Sequence, residues 1–345
     1  MHRHRAQYRA AVISLLVGTL VPGIAPAQSD SLAGVRRAPA AIRAAMRDHF
    51  FDPRLLDGNQ VRELDQATDS LARLATSRRE FVDGFNRLWR NGPASHVQVA
   101  LAPMPAAAMA TYVDTMRVGP GGVALRWEGD IAILDVRTMN GVDTRERISA
   151  FYREIVHRRA RGLIIDLRNN EGGTFAVVPL VGHLLEHPLE TGVFLGRRWV
   201  NDHGAPPRGE ELTRLAPWTG WSLERFRRDV ESAGVLRVQL EPMTPRYAGP
   251  VVILTSSVTA SAAELAADAL LASGRAVSIG ERTAGRMLSQ RMVDVPGGLH
   301  LYIPIADYHS ARIGRIENAG TEPTVSVPAA DALAVALARL QSGTQ

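Results

Sequence analysis

VVILTSSVTASAAELAADALLA, residues 251–272, decides how the rest of the chain is read. Val251 to Thr255 is an apolar run rich in β-branched side chains, which suits a strand buried on both faces of a parallel sheet. The segment from Ala260 to Ala272 is dominated by Ala and Leu, carries Glu264 and Asp268 near its start and stops before Gly274, so it reads as a helix. Ser261 therefore sits in a strand-to-helix turn among small residues. There a hydroxyl can be exposed, and helix amides favour a developing negative charge. Ser is also a common helix cap with no chemistry, and this stretch alone leaves both roles open.

Outward from that turn, the chain alternates strands and helices. Gly162 to Leu167 is a second apolar strand, preceded by a helix from Thr144 to Arg159 and, before that, by strands Val123 to Trp127 and Ile131 to Val136 joined by Glu128-Gly129-Asp130. Strand, helix and strand in this order imply a right-handed parallel crossover. A helix over Phe175 to Leu185 leads to a strand at Gly192 to Leu195. After Ser261 come strands at Ala276 to Ile279, Met292 to Val295 and Leu299 to Pro304, and a final helix at Ala329 to Leu340. Residues 28–92 carry three sets of apolar residues at helical spacing and read as a three-helix cap. Residues 197–248, with Pro206-Pro207, Trp218, Trp221 and several Arg, form a long insertion, a lid over substrate or a surface subdomain.

Composition excludes several classes of function. At 345 residues, 46% hydrophobic and 22% charged, the chain is an ordinary globular protein. With no Cys there is no disulfide, thiolate nucleophile or cysteine zinc site, and the ten His are scattered, so no metal or other cofactor is expected. Residues 1–27 have the form of a secretory signal peptide: Arg3, Arg5 and Arg9, an apolar stretch, then Ala25-Pro26-Ala27. Losing those arginines shrinks a net charge of only +5, so nucleic acid is not an expected partner. The mature protein is expected to be exported, periplasmic or extracellular, and without a membrane span. Lysine is absent throughout: all 40 basic residues are Arg, which stays protonated and cannot serve as a general base.

Three further constellations accompany Ser261. DLRNNEGG, 166–173, leaves a buried strand and ends in Gly172 and Gly173, whose backbone can approach a ligand closely. Ser95-His96 stands at the junction of the cap and the first strand, where a lone His is more often structural than catalytic. Glu317 lies in the loop IENAGTEP, 316–323, where an acid is most often a solvated surface charge.

DLRNNEGG, then SSVTASAAELAADALLASGRAVSIGERTAG, then IENAGTEP, in that order, resembles the superfamily of carboxy-terminal processing, or tail-specific, serine peptidases, which includes the tricorn core and the repeats of the interphotoreceptor retinoid-binding protein. The resemblance covers roughly residues 40–330. It implies an α/β fold, a ClpP/crotonase-like spiral of strand-helix units behind the cap, with the peptidase core at 93–345. One branch of that family uses a Ser/Lys dyad, but the matching position here is Arg286, so that mechanism is excluded. The tricorn-like branch has a Ser-His pair after the cap and a late Glu. By that resemblance Ser261 is the nucleophile, His96 the base, and Ser95 and Glu317 a supporting relay. Amides of Ala262 and of either Gly172 or Gly173 would form the oxyanion hole. Only about 35 residues separate His96 from Ile131, too few for the PDZ domain of the processing proteases.

The expectation is an exported serine endopeptidase acting on peptide or unfolded protein through an acyl-enzyme, with activity rising as His96 becomes neutral near pH 6.5. The alternative is a carrier of apolar ligands on the same fold, its pocket lined by Trp199, Trp218, Trp221 and Met243. A crotonase-like acyl-CoA enzyme is disfavoured, because export removes it from the CoA pool.

Overall fold

The computed structural model describes residues 32–343, so the signal-peptide reading of residues 1–27 falls outside the described residues. In chain order the elements are α1 (Leu32–His49), α2 (Asn59–Leu74), α3 (Arg78–Trp89), β1 (Gln98–Leu101), α4 (Ala106–Thr115), β2 (Val123–Glu128), β3 (Ile131–Val136), α5 (Val142–His157), β4 (Gly162–Asp166), α6 (Val177–Gly182) and β5 (Leu189–Gly196). There follow α7 (Arg197–Asp202), α8 (Glu210–Arg214), α9 (Leu223–Ala233), β6 (Val235–Leu240), β7 (Val251–Thr255), α10 (Ala262–Ala272), β8 (Ala276–Gly280), β9 (Leu288–Val295), β10 (Leu299–Ser310), β11 (Gly314–Arg315), β12 (Val325–Ser326) and α11 (Ala332–Ser342).

The α/β class expected from the sequence holds, with the strands sorted into two sheets. The first has the order β12-β8-β7-β4-β3-β2, parallel except for the β2–β3 hairpin. Its strands read as unbroken apolar runs because both faces are covered. Ile131, Ile133, Ile164, Val252, Leu254 and Ile279 pack on α11, whereas Ala132, Leu134, Leu163, Ile165 and Ile253 face α5, α6 and α10. The second sheet, β1-β10-β5-β6 with β9 on the other side of β10, is antiparallel. One of its faces, with Val99, Leu195, Leu299, Leu301 and Ile303, is covered by Val35, Ile42, Phe81, Phe85 and Trp89 of the three amino-terminal helices.

Two expectations change. The insertion supplies a strand, β6, which pairs with β5 through the register Leu189↔Leu240 to Leu195↔Val235, so 197–248 is partly sheet rather than wholly a flap. The Pro/Ala-rich link after β1 contains α4, whose Asp114 carboxylate receives the amides of Leu223 and Glu224 at the start of α9. Between His96 and Ile131 the chain is therefore β1, α4 and β2. Among the described residues no helix is long and apolar enough to cross a membrane.

Candidate active site

Strands β4 and β7 are parallel neighbours in register Leu163↔Val251 to Asp166↔Leu254, so the loops leaving their carboxyl ends meet. Side chains sew the loops together: Thr259 Oγ1 donates to the carbonyl of Leu167, Ser256 Oγ to that of Arg168, and the amide of Ala260 to that of Asn170. Ser261 then takes φ 55°, ψ −124°, a conformation that L-residues rarely adopt and that turns a half-buried hydroxyl outward from the chain path. Such strain costs about 1–3 kcal/mol and persists only where the surroundings impose it.

Gly172 is what allows the approach. Its φ is +98°, and a Cβ there would lie 2.6 Å from Ser261 Cβ and 2.8 Å from the carbonyl oxygen of Ala260. Gly173, at φ +139°, is likewise closed to any side chain, by Asn140 at 2.6 Å. The two glycine amides differ. That of Gly172 donates to Asn170 Oδ1 at 2.8 Å, while that of the exposed Gly173 has no partner among the described residues. The amide of Ala262, at the first turn of α10, is also unpartnered among the described residues.

Glu264 is the anchor that sequence reasoning missed. Fully buried on α10, it accepts four hydrogen bonds: Ser261 N at 3.0 Å and Arg286 N at 2.9 Å on Oε2, Thr283 Oγ1 at 2.6 Å and Gly285 N at 2.8 Å on Oε1. Burial raises its pKa above the ordinary carboxyl value, and these donors offset only part of that rise. All four partners donate, so the carboxylate is the form that fits. The signal for it in the sequence is Ser261 and Glu264 at capping-box spacing, S-x-x-E.

The same turn reaches the other half of the site. Met287 N, one residue beyond the Glu264-bound amides, donates to Glu317 Oε2 at 2.8 Å. Glu317, 3% exposed, also accepts from Ser95 N at 2.9 Å and from Ser95 Oγ at 3.0 Å. Ser95 Oγ in turn lies 2.6 Å from His96 Nδ1. The carboxylate can only accept, so the hydroxyl proton of Ser95 points at Glu317, and Ser95 Oγ accepts the Nδ1–H of His96. That arrangement assigns the tautomer and leaves Nε2 of His96 with its lone pair.

His96 has φ 66°, a strained position at the foot of β1. Its pKa is lowered to about 3, first by burial in crowded protein and then by the positive charge of Arg286. The residue as a whole is half-buried. The neutral imidazole thus persists well below the pH 6.5 expected from the sequence. Among the described residues no hydrogen bond joins His96 to Ser261. Arg286 stands where the dyad lysine was sought, with its amide on Glu264 and its exposed guanidinium as the charge beside His96.

The tryptophans expected to line an apolar pocket are divided. Trp218 and Trp221 pack 5.2 Å apart against Phe175, whereas Trp199 lies in the core under the amino-terminal helices, stacked on His203, and Met243 sits against Gly182. They do not share one cavity. A small cavity of about 80 Å³ is lined by Gly141, Val142, Arg145, Phe175 and Trp221 among others, and by Thr174, which follows Gly173 in the chain. A larger one of about 480 Å³, between the end of α1 and helices α7 and α9, touches none of the site residues. Among the described residues no group of three or more His, Asp or Glu could hold a metal ion.

The sequence profile of Peptidase family S41 matches residues 130–327. A carboxyl-terminal-processing protease of Picosynechococcus sp. is 27% identical over 165 residues, 48% of this chain and 31% of that protein. A chloroplastic C-terminal processing peptidase of Tetradesmus obliquus is 30% identical over 208 residues, 60% of this chain and 37% of its own. The chain thus spans about a third of the length of these curated relatives. Among solved structures, a lipoprotein from Streptococcus agalactiae superimposes with a TM-score of 0.56 at 16% identity, over 94% of this chain and 100% of that one. The tricorn protease does so with a TM-score of 0.50 at 12% identity, over 90% of this chain and 36% of that one. These two likenesses speak to the fold alone.

Proposed function

Because the chain belongs to Peptidase family S41, we propose that it is an exported serine endopeptidase working through an acyl-enzyme, with Ser261 as nucleophile and His96 as general base. The observation that carries this reading is the unbroken series Glu317, Ser95, His96, tied through the backbone of Arg286 and Met287 to the carboxylate that holds Ser261. Nε2 of His96 takes the proton of Ser261 Oγ as the oxygen attacks the scissile carbonyl carbon. Ser95 and Glu317 fix the ring and stabilise the imidazolium that forms. The carbonyl oxygen becomes an oxyanion between the amides of Ala262 and Gly173, the pair left without partners. Collapse breaks the C–N bond, the leaving amine receives the proton from Nε2, and water, activated by the same nitrogen, releases the acyl group. The missing Ser261–His96 hydrogen bond fits a site without substrate, since such contacts often tighten only in the complex.

The curated relatives carry the names of processing proteases, and a peptide or unfolded protein is the corresponding substrate proposed here. Export rests on the signal-peptide pattern of residues 1–27. The carrier alternative loses the pocket it needed, because its four residues are dispersed. A fluorophosphonate probe tests the nucleophile directly. It should label wild type once, on the peptide containing Ser261, and leave Ser261→Ala unlabelled; labelling elsewhere would overturn the assignment.

A further inference from the structure

A single segment of chain reaches the site at both its ends. It begins at Glu317, which closes the relay to His96, and runs along the edge of the first sheet, where β12 pairs with β8 and Val327 N donates to the carbonyl of Gly280. It ends at Ala329, whose backbone is gripped from two sides. The carbonyl accepts from Nη1 of Arg168 at 2.6 Å, and the amide donates to Oε1 of Glu281 at 3.1 Å. Both grips are charge-assisted, and neither involves the Ala329 side chain.

Both gripping residues stand on loops that build the site. Arg168 belongs to DLRNNEGG; its Nε and Nη2 donate to the carboxylate of buried Asp166 at 2.9 and 2.7 Å, and its carbonyl accepts from Ser256 Oγ at 2.5 Å. Beyond it, Asn170 takes the amide of Gly172 on its side chain and that of Ala260 on its carbonyl. Glu281 follows β8 and precedes Thr283 and Gly285, two of the donors on Glu264. Its Oε2 accepts the amide of Ser257 at 3.3 Å, near the start of the turn that ends in Ser261. The amide of Ala329, then that of Ser257, hold the Glu281 pKa below the ordinary carboxyl value. Glu264 thus secures the Ser261 end of the turn, while Glu281 and the Ser256–Arg168 bond secure the other. A strained nucleophile needs both ends fixed, because φ 55°, ψ −124° relaxes once its surroundings yield.

We infer that Glu281 is a positioning residue for the peptide-bond hydrolysis: anchored on the backbone of Ala329, it holds the Ser257 end of the nucleophile turn, so that the segment from Glu317 to Ala329 is a clasp on Ser261. This rests on the peptidase reading above. Glu281 touches neither substrate nor reacting atoms and acts only through the conformation of the turn.

The test breaks the clasp from either side. Ala329 is the second residue of a turn closed by Asp331 N on the carbonyl of Pro328, a position that accepts proline. Ala329→Pro therefore deletes the N–H on Glu281 and spares the carbonyl on Arg168. Glu281→Ala, Ala329→Pro and the double variant are compared with wild type by hydrogen exchange, by steady-state casein hydrolysis and by counting fluorophosphonate-labelled sites. Exchange in the turn 256–261 should quicken by about tenfold or more in Glu281→Ala, while strands β4 and β7 exchange as in wild type. In that variant kcat per labelled site should fall about tenfold, with KM within about twofold. Ala329→Pro should change both readouts in the same direction, and the double variant should be no worse than Glu281→Ala, because both changes break one contact. Glu281→Gln, which keeps one acceptor oxygen, should lie between wild type and Glu281→Ala. Unchanged exchange in the turn would overturn the assignment. So would fewer labelled sites at an unchanged kcat per site, the mark of a merely structural contact. Faster exchange in the turn of the variants, beside a folded wild type that neither cleaves nor labels, would overturn the peptidase reading and keep the clasp.

Discussion

Replacing Glu264 by Gln changes one atom and should loosen both halves of the site. Glutamine offers one acceptor oxygen where the carboxylate offers two, so its NH₂ must face two of the four donors. The cheaper placement turns the NH₂ toward Thr283 Oγ1 and Gly285 N, because the hydroxyl can rotate and accept. Gly285 N–H is then stranded in the interior, which costs about 1–3 kcal/mol, and the two bonds from Ser261 N and Arg286 N lose their charge assistance. Relief of the burial that raises the carboxyl pKa returns part of this, leaving a net loss of about 2–3 kcal/mol. At roughly 2–4 °C per kcal/mol, the melting temperature should fall by about 4–12 °C, and Glu264→Ala, which strands all four donors, by about twice that. Thermal unfolding followed by circular dichroism reads the shift. Hydrolysis at a temperature where both proteins are folded should fall at least tenfold, because the Ser261 amide has lost its charged anchor. A melting temperature within a degree of wild type together with full activity would refute this reasoning.

The acid limb of kcat/KM should lie well below pH 6.5, because burial and Arg286 lower the His96 pKa to about 3 and keep the base neutral; a limb at 6.5 or above would contradict this. Stability carries the opposite sign. As pH falls from about 6.5 toward 3, the unfolded chain takes up a proton that the folded site refuses, so the His96 contribution to stability should be progressively lost across that window in acid titrations of unfolding. Glu317→Gln turns an NH₂ toward Ser95 Oγ or Ser95 N and disturbs the imidazole tautomer, so kcat should fall by about 10²–10⁴ with KM little changed. Gly172→Ala places a methyl 2.6 Å from Ser261 Cβ at a positive φ, and should abolish probe labelling as well as lower the melting temperature.

What the sequence disclosed follows from how local each feature is. The β7–α10 turn at Ser261 and the glycine pair at 172–173 were legible because apolar runs and glycines are punctuation within a few residues. The second sheet was not, because the pairing of β1 with β10 joins Gln98 to Tyr302 and leaves no local mark in either segment. Helix α4 was hidden in an alanine-rich stretch between prolines, and β6 in an insertion whose tryptophans drew attention to a pocket. Ser95, His96 and Glu317 were legible only by resemblance. The hydrogen bonds from Ser95 to Glu317 join residues 222 apart in the chain, a separation that spacing cannot encode. Burial is the property least visible in a sequence. It moved the His96 pKa and made Glu264 an anchor rather than a helix-end charge.

Hydrolysis of casein by the chain from Gln28 onward, beside Ser261→Ala and His96→Ala, tests the central claim most directly. Cleavage by wild type that is lost in both folded variants is the expected result. Cleavage retained by either variant, or absent from a well-folded wild type, would contradict a Ser261–His96 peptidase.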